Sequence, residues 1–179
     1  MMHVLLLSLP LLLTDVDSRP VLSHAVRSPS LVVCKSRREL QLYSGGALVR
    51  TYAIGLGLDP VHPKERQGDW ATPEGRYFIC RKNPQSKYDF SLAISYPGPN
   101  DAMRGQETGL ITTEQRDRII EAWVRKTTPP WDTALGGEIM IHGRGSSSDW
   151  TWGCVALDYP DIEELYRVVP IGTPVDIVP

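Results

Sequence analysis

The sequence predicts a mostly β fold, namely a β-sandwich or barrel-like sheet with two appended helices. Short β-prone runs recur along the chain and are separated by turn residues. The 179 residues include 15 Gly and 15 Pro, which is typical of many turns and short strands. Only two stretches show apolar residues at helical spacing. A chain of this length is expected to bury about two-thirds of its unfolded surface in one domain.

The first part of the chain predicts strands joined by tight turns. Residues 31–34 are a β-prone run, and residues 38–43 alternate polar and apolar side chains. A Ser-Gly-Gly turn signal at 44–46 precedes a third run at 47–54. The charged segment at 55–72, which contains Gly and Pro, then predicts a surface loop able to frame a groove.

The second part of the chain alternates strands with helical segments. Residues 77–81 and 91–96 predict strands, and a Pro-Gly-Pro-Asn turn at 97–100 closes the second of them. Three later apolar runs also predict strands, at 139–141, 155–157 and 175–178. Such an order favours a sheet on which the helices are appended.

The first helix is predicted within about residues 112–130. Thr112 and Gln115 resemble a capping box, and the two prolines at 129 and 130 end the helix. Four apolar residues are placed on one face by helical spacing: Ile119, Ile120, Trp123 and Val124. This face either packs on the sheet or forms a lid over a substrate groove.

The second helix is predicted after the last reactive segment of the chain. Asp158 can cap it, and Pro160 falls in its first turn, where a missing N–H is harmless. Apolar residues at i, i+3, i+4 and i+7 predict that one face packs on the domain: Ile162, Leu165, Tyr166 and Val169.

Charge and cysteine content argue against several classes of function. The net charge of −2 provides no basic footprint for nucleic-acid binding. Cys34, Cys80 and Cys154 show no Cys-x-x-Cys pair or other zinc spacing, so we expect no metal and no other cofactor. Cys34 and Cys80 are either two buried thiols or a disulfide that leaves Cys154 free.

Residues 1–28 predict a signal peptide or a disordered leader, which precedes one domain at 29–179. The apolar run at 4–13 has signal-peptide length but is too short to cross a bilayer, so no stable membrane span is expected. Residues 23–25, Ser-His-Ala, offer a small-x-small cleavage site. Against export, no Lys or Arg precedes the run, and charged residues lie between it and the cleavage site.

Two reactive side chains stand at the two ends of a loop rich in Gly and Ser. His142 and Cys154 are twelve positions apart, so a folded-back loop brings the imidazole within hydrogen-bond reach of the sulfur. A free thiol is only a few per cent thiolate at neutral pH, and an adjacent imidazole raises that fraction. Gly153 allows a sharp turn that bares N–H groups for an oxyanion hole. Alternatively, the Cys is a small buried hydrophobe and the His a satisfied core or surface residue.

These residues resemble the signature of the L,D-transpeptidase (YkuD-type) catalytic domain. His142-Gly143, a loop and then Thr151-x-Gly153-Cys154-Val155 are similar to its pattern His-Gly, loop, [Ser/Thr]-x-Gly-Cys-[Ile/Val]. Residues 68–79 resemble its segment Gly-Asp-x-x-Thr-Pro-Glu-Gly-x-Tyr-x-Ile. Further matching segments follow in the same order, at 92–97, 100–101, 161–166 and 169–175. The likeness covers roughly residues 30 to 178, and relative to the family pattern the helical segment at about 112–130 is an insertion.

The resemblance implies cysteine-dependent acyl transfer on peptidoglycan stem peptides, in the periplasm or after export to the cell envelope. Cys154 attacks the carbonyl of the L-centre residue in an L–D peptide bond and forms a thioester. His142 acts as base and then acid, and the N–H groups of Gly153 and Cys154 hold the oxyanion. Three readings stay open: a transpeptidase, a hydrolase that cuts wall-linked peptide or protein, and a non-catalytic wall-binding domain.

Four further residues are candidates for substrate binding: Gly143, Arg144, Thr151 and Trp152. Gly143 permits close backbone approach, and Thr151 orients the histidine or the loop unless it is a plain loop hydroxyl. Trp152 and Ala156 stand where the family often has His and Arg, so a second imidazole and a carboxylate clamp are absent there. Arg144 either supplies that clamp, because its fork suits carboxylates, or is a solvated loop residue.

Three other polar residues are placed outside the chemistry. His62 is interpreted as a solvated loop histidine, because nothing in the sequence brings it near Cys154. The resemblance implies that Asp69 and Glu74 belong to a structural turn before the next strand, rather than acting as general bases.

Overall fold

The computed structural model describes Leu22 and residues 26–179, so the predicted apolar run and cleavage site lie outside the described residues. The described part contains eight strands and three helices: β1 (Pro29–Cys34), β2 (Glu39–Ser44), β3 (Ala47–Ala53), β4 (Gly75–Ser86), β5 (Asp89–Ile94), α1 (Pro99–Glu107), α2 (Thr113–Val124), β6 (Met140–His142), β7 (Val155–Ala156), α3 (Tyr159–Val168) and β8 (Pro174–Val178). None of these helices combines the length and the apolar character that crossing a bilayer demands.

The eight strands form one curled sheet in the order β3-β2-β1-β8-β4-β5-β6-β7. The pairs β1/β8 and β6/β7 are parallel, whereas the other pairs are antiparallel. Just after β3, the Gly55 N–H donates to the Ala156 carbonyl at 2.9 Å, and the Ala156 N–H donates back to Gly55 at 2.8 Å. These two hydrogen bonds join the segment just after β3, one edge strand of the sheet, to β7, the other edge strand. The predicted mostly β, barrel-like architecture is therefore confirmed.

Alternation along the strands places one set of side chains in a common core. In β1 and β2, for example, Leu31, Val33, Leu40 and Leu42 are each at most 1% exposed. The same core takes side chains from every other strand, including Tyr52 of β3, and from α3. Burying one such aliphatic side chain contributes roughly 1.5–3 kcal/mol, so the sheet is a rigid platform for the loops at its ends.

The predicted turn at 97–100 is instead the start of a third helix, α1. Pro99 takes the first helical position, where its missing N–H costs no hydrogen bond. The Asp101 carboxylate accepts the Gly98 N–H at 2.9 Å and the Tyr77 hydroxyl at 2.9 Å. The sequence did not indicate this helix because its buried side is made of Asp101, Ala102 and Gly105 rather than of large apolar residues.

Helix α2 begins with the predicted capping box and packs on the sheet. The Thr112 N–H donates to Gln115 Oε1 at 3.0 Å, and the Gln115 N–H donates to Thr112 Oγ1 at 3.2 Å. Ile119 is buried, and the Trp123 ring lies 5.2 Å from that of Phe78 on β4. The prediction was wrong for Val124, which is 73% exposed. At 100° per residue, Val124 points about 140° away from Ile119. The lid alternative stays a prediction.

Helix α3 begins after Asp158, as predicted, but the Asp158 side chain does not cap it. Its carboxylate instead accepts the Ser146 N–H at 3.1 Å and the Ser146 hydroxyl at 3.1 Å. Ile162, Leu165 and Val169 are buried on the predicted face. The start of α3 therefore anchors the loop that follows β6.

The three cysteines are free thiols in the structure. Cys34 and Cys80 are both buried, and the Arg37 guanidinium donates to Cys34 Sγ at 2.7 Å. Of the two alternatives for Cys34 and Cys80, the structure contains the pair of buried thiols.

Candidate active site

The parallel pairing of β6 with β7 brings the two ends of the Gly- and Ser-rich loop onto neighbouring strands. His142 pairs with Ala156, so the continued register sets Cys154 opposite Met140. Because alternate residues share a face, His142 and Cys154 lie on the same face of the sheet. Strands about 4.8 Å apart with a rise of about 3.3 Å per residue place such Cα atoms about 8 Å apart. An imidazole and a thiol can span that separation.

His142 is buried and presents one unprotonated ring nitrogen. Its side chain is 2% exposed and contacts the rings of Tyr88 and Trp150, with centroids 4.7 Å and 5.6 Å away. Nδ1 lies 2.7 Å from the Gly143 carbonyl oxygen, which can only accept, so Nδ1 carries the proton and Nε2 the lone pair. Burial lowers the pKa of His142 below its ordinary 6.5, because the imidazolium is poorly solvated there.

Cys154 ends a tight turn that Thr151 closes. Thr151 Oγ1 donates to the Cys154 carbonyl at 2.8 Å and accepts the Gly153 N–H at 3.1 Å. Thr151 is only 3% exposed, and these contacts orient the cysteine rather than the histidine. The Gly153 N–H was predicted to stabilise an oxyanion. It already donates to Thr151 Oγ1, so it would have to give up or share that hydrogen bond to do so. The N–H of Cys154 is the other predicted donor.

The surroundings of the Cys154 sulfur favour the protonated thiol. The Met140 N–H donates to Sγ at 3.4 Å, and Sγ lies 3.7 Å from the Glu138 carbonyl oxygen. Burial raises the pKa of Cys154 from 9.0 to about 11, although the Met140 N–H opposes the shift. The expected increase in thiolate fraction is therefore not found. The resting pair is a neutral thiol and a neutral imidazole.

Two glycines allow the backbone contacts that hold this arrangement. Gly153 has φ +116°, and a Cβ there would lie 2.6 Å from the Ala71 carbonyl oxygen. A Cβ on Gly143 would lie 2.6 Å from Asp89 Oδ2 and 2.9 Å from the Tyr88 carbonyl oxygen. The Gly143 N–H donates to that Tyr88 oxygen at 2.9 Å. Gly143 thus allows Tyr88 and Asp89 to approach closely, and its role in substrate binding stays a prediction.

A cleft of about 330 Å³ includes the two rings that contact His142, but not His142 itself, and takes in one of the predicted substrate-binding residues. Its lining consists of Tyr88, Arg144, Gly145, Ser147, Ser148 and Trp150. The Arg144 guanidinium carbon lies 5.5 Å from the centroid of the Tyr88 ring. Trp152 lies outside this lining and is 77% exposed, two residues before Cys154.

His62 and Glu74, which were predicted to take no part in the chemistry, each pair with a charged or ionisable side chain. The His62 side chain is 77% exposed, and its Nδ1 lies 3.0 Å from Asp59. Glu74 Oε1 lies 2.7 Å from Nζ of the buried Lys35, which holds the turn before β4. Among the described residues, no group of three or more His, Cys, Asp or Glu side chains is placed to hold a metal ion.

Comparison with known protein families identifies the family to which this domain belongs. A model of the L,D-transpeptidase catalytic domain (YkuD) matches residues 28–177. The chain belongs to the L,D-transpeptidase catalytic domain family. The match includes both His142 and Cys154 and confirms the resemblance noted in the sequence.

Relatives of this L,D-transpeptidase-type domain are longer proteins. YafK of Escherichia coli K12 is 27% identical over an alignment of 143 residues that covers 76% of this chain and 45% of YafK. A mutant of the helical cell shape determining protein Pgp2 from Campylobacter jejuni is 26% identical, with a TM-score of 0.57 over 83% of this chain and 46% of Pgp2. Bd1075 of Bdellovibrio bacteriovorus shares the fold, with a TM-score of 0.55 at 21% identity over 86% of this chain and 49% of Bd1075. The chain thus spans about half the length of these relatives, or less.

A buried ion pair behind the Cys154 turn (residues 151–154) was not predicted from the sequence of this L,D-transpeptidase-type domain. Lys64 is 3% exposed, and its Nζ lies 2.7 Å from Asp69 Oδ1 and 2.9 Å from the Arg66 carbonyl oxygen. The Asp69 carboxylate also accepts three backbone N–H groups, those of Glu65, Arg66 and Ala71, at 2.7, 2.9 and 3.2 Å. Because the Ala71 carbonyl faces Gly153, the ion pair fixes the segment against which the Cys154 turn packs. A lysine in a charged loop gives no sign of burial.

Replacing Asp69 with Ala is expected to lower the free energy of unfolding by about 3–5 kcal/mol, because it leaves a buried ammonium without its counter-charge. Urea denaturation measures the change. The matched control is Asp59→Ala, which removes an exposed carboxylate from the same loop and is expected to cost about 1 kcal/mol or less. Equal losses in the two variants would show that the Lys64–Asp69 pair has no special structural role.

Proposed function

We propose that this domain is an L,D-transpeptidase-type cysteine acyltransferase that acts on peptidoglycan stem peptides in the cell envelope. One observation carries the proposal: the register of β6 and β7 sets His142, whose Nε2 is unprotonated, and Cys154, just before β7, on the same face of the sheet. Membership of the family supports peptidoglycan peptides as the substrate. Cys154 is only partly buried, unlike the buried Cys34 and Cys80, which supports a nucleophile rather than a core residue.

In the proposed reaction, proton transfer accompanies attack. His142 Nε2 takes the thiol proton as Sγ bonds to the carbonyl carbon of the L-centre residue, and the N–H of Cys154 stabilises the oxyanion. The carbon–nitrogen bond then breaks, and His142 returns the proton to the leaving amine. The products are a thioester on Cys154 and a free D-amino acid. An amine that attacks the thioester forms a cross-link, whereas water hydrolyses it.

The experiment is to incubate the protein with a tetrapeptide stem and to record intact and product masses. We expect an acyl adduct on wild type and none on Cys154→Ser. Cys80→Ser is the matched control, because it removes a buried thiol on β4 and should leave the adduct unchanged.

The products separate the three readings of this domain. A cross-linked dimer indicates transpeptidation, and a tripeptide without a dimer indicates hydrolysis. Binding of the stem with neither adduct nor product would contradict the enzyme proposal and would indicate a wall-binding domain. A carbapenem provides a second probe, because its strained amide should acylate Cys154 directly and add its mass to wild type alone.

A further inference from the structure

The ring of Tyr88 covers one face of the proposed base. It stacks on the His142 imidazole, with ring centroids 4.7 Å apart and ring planes at 24°. The Trp150 ring meets the same imidazole edge to face, at 5.6 Å and 65°. The two aromatic rings also contact each other, with centroids 6.0 Å apart. The imidazole is therefore enclosed by two aromatic rings, and His142 is only 2% exposed.

The stack and one hydrogen bond together fix the orientation of the imidazole. Nδ1–H of His142 donates to the Gly143 carbonyl oxygen at 2.7 Å, which holds one edge of the ring. Rotation of the imidazole about its bond to Cβ would break this hydrogen bond and push the ring edge into Tyr88. Aromatic pairs favour the stacked and edge-to-face arrangements that are found here. One edge contact and one face contact thus leave a single direction for Nε2.

Tyr88 is itself held by the turn that joins β4 to β5. Ser86 pairs with Asp89, so Tyr88 lies in a two-residue loop. The Tyr88 N–H donates to Ser86 Oγ at 3.1 Å, and the Tyr88 carbonyl accepts the Gly143 N–H at 2.9 Å. The backbone of Tyr88 is therefore fixed to the residue that follows the proposed base.

The residue types in this turn are unusual for a tight hairpin. Gly, Asn and Asp dominate such loops, because they tolerate the backbone conformations that the loops require. Here a tyrosine occupies the loop, and Asp89 after it takes φ +66°. The next aromatic residue, Phe90, packs against the core, whereas the Tyr88 ring contacts His142 and Trp150. Departures from local preference are expected where a side chain is retained for its contacts at a functional site.

Titratable groups surround His142 from the hairpin, from its own loop and from the turn before β7: Tyr88, Asp89, Arg144 and Cys154, with Lys87 over the Tyr88 ring. Burial is the main cause of the lowered pKa of His142. The Gly143 carbonyl and the Asp89 carboxylate oppose this shift, and the Arg144 guanidinium adds to it. Because the Tyr88 ring keeps water from one face of the imidazole, it accounts for part of that burial.

We infer that Tyr88 is a positioning residue for His142: its ring holds the imidazole in one orientation and keeps water from one of its faces. This inference rests on the proposed function, in which His142 is the base, and it adds a residue that acts through that base. The contact is made by the ring and not by the hydroxyl group. A phenylalanine should therefore serve as well as the tyrosine, whereas an alanine should not.

The first experiment measures the imidazole itself, by NMR titration of His142 in a Cys154→Ala background. Tyr88→Ala should raise the pKa of His142 toward the ordinary 6.5 and let the proton exchange between Nδ1 and Nε2, because water then solvates the imidazolium. Tyr88→Phe should match the parent protein. Tyr88→Leu, which keeps bulk without a planar face, should fall between the two. Tyr159→Ala, an exposed tyrosine at the start of α3, is the matched control and should change neither property.

The second experiment measures the rate of carbapenem acylation of Cys154 as a function of pH. Tyr88→Ala should react about 10- to 100-fold more slowly at its pH optimum, a loss typical of a misplaced catalytic group. Neutral imidazole is the base form, so a raised pKa of His142 should also shift the acidic limb of the profile to higher pH. Tyr88→Phe should restore the rate and the limb of wild type.

The outcomes separate the positioning role from the proposed function. A Tyr88→Ala protein in which His142 keeps its pKa and its tautomer would overturn the inference, whatever its rate of acylation. Equal effects of Tyr88→Phe and Tyr88→Ala would also overturn it, since the hydroxyl and not the ring would then matter. A shifted titration of His142 in a protein that never acylates Cys154 would support the positioning role and refute the acyl-transfer proposal. Shifts in both experiments that phenylalanine restores would support both.

Discussion

Replacing His142 with Gln is expected to slow acylation of Cys154 at pH 7 by about 10²–10⁴-fold, the usual contribution of a positioned general base. Burial has raised the pKa of Cys154 to about 11, so at neutral pH almost no sulfur is thiolate without a base. Gln is chosen over Ala because it keeps much of the side-chain volume between Tyr88 and Trp150. The rate of carbapenem adduct formation, followed by intact mass, measures the effect.

The two proteins should also differ in the pH dependence of acylation. In wild type, His142 has a pKa below 6.5, so its base form is present at neutral pH and the rate should fall only as the pH drops below that lowered value. In His142→Gln, solvent must remove the thiol proton. Its rate should therefore rise about tenfold per pH unit from pH 7 toward 11.

The control for this experiment is His62→Gln, since that side chain is exposed and pairs with Asp59. It should leave both the rate and the pH profile unchanged. A His142→Gln protein with a full rate and a flat profile between pH 6 and 9 would show that other groups activate Cys154, and the proposed mechanism would be wrong.

Replacing Gly153 with Ala is expected to abolish acylation and to lower the free energy of unfolding by more than about 2 kcal/mol. The left-handed backbone costs an L-residue about 1–2 kcal/mol, and overpacking a tight site typically adds about 1–3 kcal/mol. The added methyl would lie 2.6 Å from the Ala71 carbonyl oxygen, so the turn that carries Cys154 must move. Urea denaturation and the carbapenem adduct report the two effects separately.

Gly172→Ala is the matched control, because Gly172 also has a positive φ, +91°, but a Cβ there meets nothing within 4 Å. It should show the conformational cost alone, about 1–2 kcal/mol, and keep the adduct. If Gly153→Ala lowers the free energy of unfolding no more than Gly172→Ala does, and still forms the adduct, the contact between Ala71 and the Cys154 turn does not position the cysteine.

The strands could be predicted from the sequence because period-two alternation is local. The buried face of a strand is formed by its own alternate residues, which can be recognised without knowing the rest of the fold. β1, β2 and β3 start and end within about two residues of their predicted bounds. Helix α1 could not be predicted this way, since it buries a carboxylate, an alanine and a glycine instead of an apolar stripe. The Asp158 carboxylate similarly binds Ser146, because a nearby loop N–H and hydroxyl competed successfully with the helix N-terminus.

At the candidate site, the sequence by itself determined which groups are present: a histidine and a cysteine at the ends of a glycine-rich loop, within a family pattern. The tertiary structure alone decided their protonation, because pKa values depend on burial and on partners from distant segments. The Met140 N–H at sulfur, the Gly143 carbonyl at the imidazole and the Lys64–Asp69 pair behind the turn are all contacts of that kind. Spacing along a chain places side chains on strands, whereas solvation is set only when separate parts of the chain pack together.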